Sequence, residues 1–278
     1  MIEETAPAKL NLVLQVGRVR EDGLHELASL FASLELADAV AVETAPSAPD
    51  EVIAPGVEEP NLAQAAIDEL RGALGGDLPP LRVAIEKRIP IAAGLGGGSA
   101  DAAAVLRAAN RIAGDPLGAS ELRRLGARIG ADVPSQVEPR HALVTGAGEH
   151  VEPIGLEPLP VVLVPAEAGL STAAVYAEAD RIPTTRERLD PAALRELAAR
   201  PAAEIAARLE NDLERAAISL RPELEETLAA VRGSGALAAR VTGSGPTVFG
   251  IYPDAAAAAA AAERLPDAIV TRLRAADP

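Results

Sequence analysis

The sequence predicts an α+β protein in two units, on three observations. An alternating apolar and polar strand opens the chain, and a glycine-rich turn feeds an alanine-rich helix in its first half. The second half reads strand, helices, two strands, helix, strand, a small unit with helices over one sheet face, close to a ferredoxin-like split βαβ. The change from one unit to the other is expected over residues 155–160.

Residues 8–16 place Leu10, Leu12, Leu14 and Val16 on one strand face and Lys9, Asn11, Val13 and Gln15 on the other. Lys9 and Asn11 therefore project together. A lysine near a terminus is usually a solvated charge, but one beside an asparagine on a half-buried strand is a candidate for chemistry. Residues 18–23 form a turn, Leu24-His25-Glu26-Leu27 opens the next element, and 34–42 is a strand. Residues 45–59, rich in Pro, Asp and Glu, read as loop. Pro60 and Asn61 start a helix over 61–70 whose stripe is Leu62, Ala65, Ala66 and Leu70. Residues 71–80 return to loop.

Val83, Ile85 and Ile89 suggest a strand broken by Lys87 and Arg88, and Pro90 excludes a central strand position after it. Gly94, Gly96, Gly97 and Gly98 follow, then Ser99, Asp101 and a helix to about Ala113. A glycine turn entering a helix N-terminus presents free N–H groups and the positive end of the helix dipole, an anion site that most often serves phosphate. The pattern lacks the Lys-Ser/Thr ending of a P-loop and the spacing of a dinucleotide turn. Another helix over 120–129 ends at Gly130, leaving Asp132 on a short rigid link that Pro134 is expected to terminate. An aspartate there commonly serves as a turn cap; it can equally hold a carboxylate in a fixed direction.

Residues 142–145 are a strand and 146–149 a tight turn. The second unit begins with strand 161–164. A helix starting at 169–172 carries Val175 and Tyr176, 180–190 connects, and helices follow over 191–197, 202–209 and 222–231. Strands 237–241 and 248–252 flank a second glycine cluster, Thr242-Gly243-Ser244-Gly245-Pro246-Thr247. Asp254 caps a helix opened by eight alanines, and 269–273 is the last strand.

Composition narrows the chemistry. The 278 residues carry 41 acidic and 26 basic side chains, a net charge of −15 that argues against a nucleic-acid surface. There is no cysteine, so neither disulfides nor thiolate metal sites arise, and His141 and His150 lack the partners of a zinc site. With no signal peptide pattern and no apolar run of membrane-spanning length, a soluble cytosolic protein is expected, as a monomer or weak homodimer. Aromatic residues number only four, so Phe31, Tyr176, Tyr252 and Phe249 each draw notice, although Phe31 and Phe249 read equally well as core.

Taken together, Pro-Ala-Lys9-Leu-Asn11-Leu, the glycine loop through Ser99, and Gly243-Ser244-Gly245-Pro-Thr resemble the galactokinase, homoserine kinase, mevalonate kinase and phosphomevalonate kinase superfamily. Residues 21–27, 130–134, 169–172 with Tyr176, and 211–214 resemble its branch acting on 4-(cytidine 5′-diphospho)-2-C-methyl-D-erythritol. The likeness runs in order from residue 6 to about 252. It implies a two-domain small-molecule kinase fold: an ATP-binding domain over 1–155 with a left-handed βαβ element, and a ferredoxin-like domain over 156–278 completing the cleft. It implies phosphorylation of the substrate's 2-hydroxyl, with ATP and Mg2+ as cofactors and a small cytidine diphosphate as partner.

Residue by residue, the resemblance matches Lys9 and Asp132 to the catalytic pair, with Asn11 beside them. It matches Pro90, Ala93, Gly94, Leu95, Gly96, Gly97, Gly98 and Ser99 to the phosphate loop, Ser99 also touching magnesium indirectly. Asn61 and Asn110 match asparagines lining the adenine pocket. His25 matches the reader of cytosine, Tyr176 an aromatic packing against that base, Thr172 a residue near the transferred phosphate, and Gly243 and Ser244 match substrate-binding residues. Three departures stand out: Leu24 replaces the usual Tyr, Thr242 a Ser, and Ser135-Gln136-Val137 with Pro139-Arg140 replaces aromatic residues and a glycine pair. The last is expected to reshape the wall beside Asp132, with Arg140 adding a positive group. A sister kinase for homoserine or a mevalonate derivative is the alternative, against which His25 with Tyr176 argues; a non-catalytic metabolite binder is opposed by Lys9, Asp132 and Ser99 together.

Overall fold

The first half is built on two long antiparallel strands, β1 (Ile2–Val19) and β2 (His25–Thr44), in a computed structural model that describes residues 1–45, 47–57 and 61–275. β3 (Glu51–Ile53) and β4 (Leu81–Glu86) are parallel to each other and joined by α1 (Leu62–Ala73), making a βαβ unit on the β2 edge. The glycine turn leads into α2 (Gly97–Ile112), followed by α3 (Ala119–Ile129) and the single-turn α4 (Val133–Gln136). β5 (Ala142–Gly146) returns to β2 and pairs with β6 (His150–Pro153). Pro60, expected at the start of α1, lies outside the described residues; Asn61 caps that helix, its Oδ1 accepting from the Ala63 N–H at 2.9 Å.

The second half supplies β7 (Pro160–Val164), α5 (Thr172–Arg181), α6 (Pro191–Ala198), α7 (Ala202–Ala207), β8 (Glu210–Asn211), α8 (Glu214–Leu220), α9 (Glu223–Gly233), β9 (Ala238–Val241), β10 (Val248–Ile251), α10 (Ala255–Ala262) and β11 (Ile269–Arg272). Its sheet runs β11-β7-β10-β9, all antiparallel. Numbered within this four-stranded sheet, that is order 4-1-3-2, the ferredoxin-like arrangement anticipated from the element order.

Alternation along these strands explains the layering. Val161, Leu163, Phe249 and Ile251 face the first sheet and pack with Leu10, Leu12, Leu30 and Leu34. Val162, Val164 and Val248 face the other way, onto Leu228 and Val231 of α9 and Ala258 and Ala261 of α10. The eight-alanine helix thus lies close on a sheet, its small side chains buried at Ala258 and Ala261. A third cluster sets α1, α2 and α3 against β1, β2 and β4. The halves are stitched by backbone as well: β8 pairs in parallel with β1, extending the first sheet with residues from the second half.

Three local readings change. The register of β1 against β2 shifts between Asn11 and Val13, so a β-bulge splits the expected apolar face. Leu10 and Leu12 enter the core between the sheets, whereas Leu14 and Val16 join the cluster under α5 and α8. Pro134 does not end a helix; it occupies the first turn of α4, where its missing N–H is not needed. β3 and α8 are additions to segments read as loop or left unassigned.

Candidate active site

One cavity of about 960 Å³ opens between the glycine turn, the middle of β1 and α5. At its floor Lys9 and Asn11 leave β1 side by side. The Lys9 ammonium donates to Asn11 Oδ1 at 2.8 Å, lies 3.2 Å from the Asp132 carboxylate and sits over the Phe31 ring, 4.8 Å from its centroid. Lys9 is buried, while Asp132 is half-exposed to the cavity. Asp132 reaches this position from the link between α3 and α4, where its side chain caps nothing among the described residues.

The glycine turn closes one wall. The Lys9 N–H donates to Leu95 O at 2.9 Å, tying the turn to β1. Gly96 adopts φ 71°, and a Cβ there would lie 2.9 Å from Lys9 Cγ, so only glycine lets the turn cross the lysine stem. Gly96 is also the N-cap of α2, without a capping side chain among the described residues, so the first-turn N–H groups of α2 face the cavity as donors.

The second glycine cluster meets the first from the opposite unit. Thr247 N–H donates to Ala93 O at 3.4 Å, Thr242 Oγ1 accepts from the Asn11 N–H at 3.1 Å, and Gly243 packs against Asn11 and Lys9. Residues 211–214 hold this turn in place. Asn211 Nδ2 donates to Val241 O and Gly243 O, and Glu214 Oε2 accepts from the Val241 N–H. Asp212 accepts from the Val16 N–H and pairs with Arg186.

α5 forms the remaining wall through residues four apart on one face: Thr172, Tyr176 and Asp180. Thr172 Oγ1 and Ser244 Oγ share a hydrogen bond of 2.9 Å. The His25 ring lies over Tyr176 with centroids 4.9 Å apart and planes tilted by 38°, and its Nε2 bonds Asp180 Oδ1 at 2.9 Å. Burial, with the Asp132 carboxylate adding to it, holds the Tyr176 phenol well above its ordinary pKa and therefore neutral. Leu24, half exposed, lines the cavity beside His25.

Of the residues singled out from the sequence, the cavity gathers Lys9, Asn11, His25, Asn61, Pro90, Ala93 to Ser99, Asp132, Thr172, Tyr176, Gly243 and Ser244. Asn110 is the exception. It lies at the far end of α2, where its amide bonds Asp115 and both the N–H and C=O of Leu117, closing the turn before α3 and leaving it off the cavity lining. Arg140 is likewise not on the wall beside Asp132. It pairs with Glu138 and borders a separate hollow of about 230 Å³ with His141 and Arg274. His141 is no metal ligand there: Nδ1 accepts from the Ser33 N–H and Nε2 bonds Arg274 O.

Sequence reasoning missed a buried charge cluster behind the glycine turn. Lys87 Nζ lies 2.5 Å from Asp38 and 2.6 Å from Asp101, and Asp38 also accepts from the N–H groups of Arg88 and Ile89. The cluster pins both ends of the turn, its entry at residues 88–89 and its exit at Asp101, just past the first turn of α2. Burial pushes the Asp101 carboxyl up to about 6 against the pull of Lys87, while its two carboxylates keep Lys87 above its usual pKa despite burial. The one available signal was Asp101, an acidic residue in an otherwise alanine-filled helix face.

Comparison with known proteins matches this architecture. The GHMP kinases N terminal domain model matches residues 61–138 and the GHMP kinases C terminal model residues 189–270. A 4-diphosphocytidyl-2-C-methyl-D-erythritol kinase of Nocardia farcinica is 41% identical over 280 residues, covering 96% of this chain and 90% of that protein. The chain belongs to this kinase family. A crystal structure of a 4-(cytidine 5′-diphospho)-2C-methyl-D-erythritol kinase superposes with TM-score 0.81 at 36% identity, covering 98% of this chain and 99% of the other. A homoserine kinase from Cytophaga hutchinsonii, at 17% identity, shares the fold with TM-score 0.72 over 99% and 95% of the chains.

Among the described residues, no helix is long and apolar enough to cross a membrane, and no three His, Cys, Asp or Glu side chains group as metal ligands.

Proposed function

We propose that this chain transfers the γ-phosphoryl group of ATP to the 2-hydroxyl of 4-(cytidine 5′-diphospho)-2-C-methyl-D-erythritol, in the cytosol, with Lys9 and Asp132 at the reacting hydroxyl. The observation that carries the reading is the Lys9–Asp132 pair at 3.2 Å, placed in one cavity between the α2 N-terminus and the stacked His25 and Tyr176. Phosphoryl transfer needs alignment and charge stabilisation more than covalent chemistry.

The glycine turn and the first turn of α2 fit a triphosphate: Gly97, Gly98 and Ser99 line the cavity at a helix start that has no capping side chain among the described residues, so its N–H groups are donors for an anion. ATP would lie along residues 93–99, with Asn61 at the base end. Magnesium would be held by phosphate oxygens and water with Ser99 nearby, supplying charge neutralisation on the transferring group, as suits a small cation that keeps much of its hydration. Lys9 steadies charge on the entering oxygen and the phosphoryl group, and Asp132 accepts the hydroxyl proton. Thr172 and Ser244 offer hydroxyls at the phosphate end of α5, and His25 and Tyr176 offer a polar edge and an aromatic face for cytosine at the other end.

The test is ADP release by the full chain with the cytidyl substrate, homoserine or mevalonate as acceptor. The cytidyl substrate alone should support turnover, and Asp132→Asn should lower kcat by about 10²–10⁴-fold with the KM for ATP little changed. Preference for another acceptor, or unaltered kcat in Asp132→Asn, overturns the reading.

A further inference from the structure

We infer that Ser29 is a positioning residue that sets which way the Asn11 amide faces, and through it the place of the Lys9 ammonium. The inference rests on the proposed role of Lys9 at the reacting hydroxyl. Ser29 itself lies on β2, fully buried, behind the cavity wall.

Three hydrogen bonds run in series from a strand carbonyl to the site. Ser29 Oγ donates to Val13 O at 2.6 Å, Asn11 Nδ2 donates to Ser29 Oγ at 2.9 Å, and Lys9 Nζ donates to Asn11 Oδ1 at 2.8 Å. Their directions are forced from one end. A carbonyl only accepts, and a serine hydroxyl has a single proton, so the proton of Ser29 points at Val13 O. Ser29 Oγ is then left as an acceptor toward Asn11, which must turn its NH2 to Ser29 and its Oδ1 to Lys9. The opposite amide orientation sets NH2 against the ammonium, donor against donor, with a buried acceptor on Ser29 left unmatched.

The fold makes room for this relay at the β1 bulge. The register shift between Asn11 and Val13 brings Ser29, opposite Leu14, within reach of both the Val13 carbonyl and the Asn11 side chain. The amide has little slack, because the Asn11 N–H is anchored on Thr242 and a Cβ on Gly243 would stand 3.1 Å from Asn11 Oδ1 and 3.5 Å from Lys9 Nζ. An ammonium held by Asn11, Asp132 and the Phe31 face therefore depends on a serine that does not touch substrate.

The experiment is a double-substitution cycle read by steady-state ADP release. Ser29→Ala should lower kcat by about tenfold, the effect of losing one directed buried hydrogen bond, with the KM values for ATP and acceptor within about twofold of wild type. In an Asn11→Asp background the carboxylate accepts from Lys9 with either oxygen, so adding Ser29→Ala should change kcat by less than about twofold. Ser29→Thr, which keeps the hydroxyl, should retain most of the turnover that the isosteric Ser29→Val loses; this pair carries the test if Ser29→Ala does not fold. Equal losses in the wild-type and Asn11→Asp backgrounds, or a Ser29→Val enzyme as fast as Ser29→Thr, overturn the inference. Lys9→Met separates the two levels: retained turnover there refutes the role of Lys9, whereas lost turnover beside silent Ser29 substitutions refutes only Ser29.

Discussion

Gly94→Ala tests whether the two glycine turns are as closely apposed as the site requires. Gly94 has φ 75°, and an added methyl would press into the Gly245 carbonyl, 3.0 Å from its carbon and 3.1 Å from Thr242 O. All of these are backbone atoms, so no side chain can swing away and residues 242–245 must shift. The left-handed conformation costs an L side chain about 1–2 kcal/mol, and overpacking of this kind costs about 1–3 kcal/mol more. The sum of about 2–5 kcal/mol predicts a fall in Tm of about 3–9 °C for a chain of this size. Displacing Thr242 and Gly243 also moves their partners Asn11 and Lys9, so kcat should drop with stability. The control is Gly98→Ala, with ordinary φ and its nearest neighbour, Leu62 Cδ1, at 3.7 Å. Within the first turn of α2 that change should leave the thermal midpoint level or raise it, by up to about 1 kcal/mol of stability. Scanning calorimetry on both variants decides the matter: a Gly94→Ala protein melting with the wild type would refute the apposition of the turns.

Two further outcomes follow from the geometry. His25→Ala removes the ring stacked on Tyr176, so the KM for the cytidyl substrate should rise by about 10–100-fold while that for ATP stays put, as initial-rate kinetics would show; equal changes in both would detach His25 from base recognition. Asp101 gives a pH signature. Its folded pKa, raised from 3.8 to about 6, makes the folded state bind the extra proton between those values, so its contribution to stability is complete below about pH 4 and is lost as pH rises through about 6. Asp101→Asn lacks that titration. Urea unfolding should show the variant gaining on the wild type by about 2 kcal/mol from pH 4 to pH 7, and a pH-independent difference would contradict the shifted carboxyl.

Local pattern carried the elements whose signal is periodic or capped, and the site residues attached to them. Asn61 before α1, the glycines before α2 and the strand–helix order of the second half are visible because each turn or cap needs particular residue types within a few positions. Contacts between distant segments leave no such trace. The β1 bulge flips the side chains after Asn11, but the Leu-Asn-Leu-Val-Leu run reads as unbroken alternation, since what shifts the register is pairing with β2 and not composition. Lys87 read as a strand breaker because its partners, Asp38 and Asp101, are 49 and 14 residues away. A buried lysine between two carboxylates is indistinguishable in sequence from a solvated one.

Asn61 and Asn110 make the same point in reverse: both suit a base-binding pocket by type, yet only Asn61 stands at the cavity, because α2 carries Asn110 well beyond Asp101 and out to its far end. Ser29 is the sharpest instance. An unremarkable serine in an apolar strand gains its meaning only from the direction of one proton, and that direction is set by a carbonyl 16 residues away. Residue type announces which groups can do chemistry; the pairing of β1 with β2 and of the two glycine turns decides which of them face it.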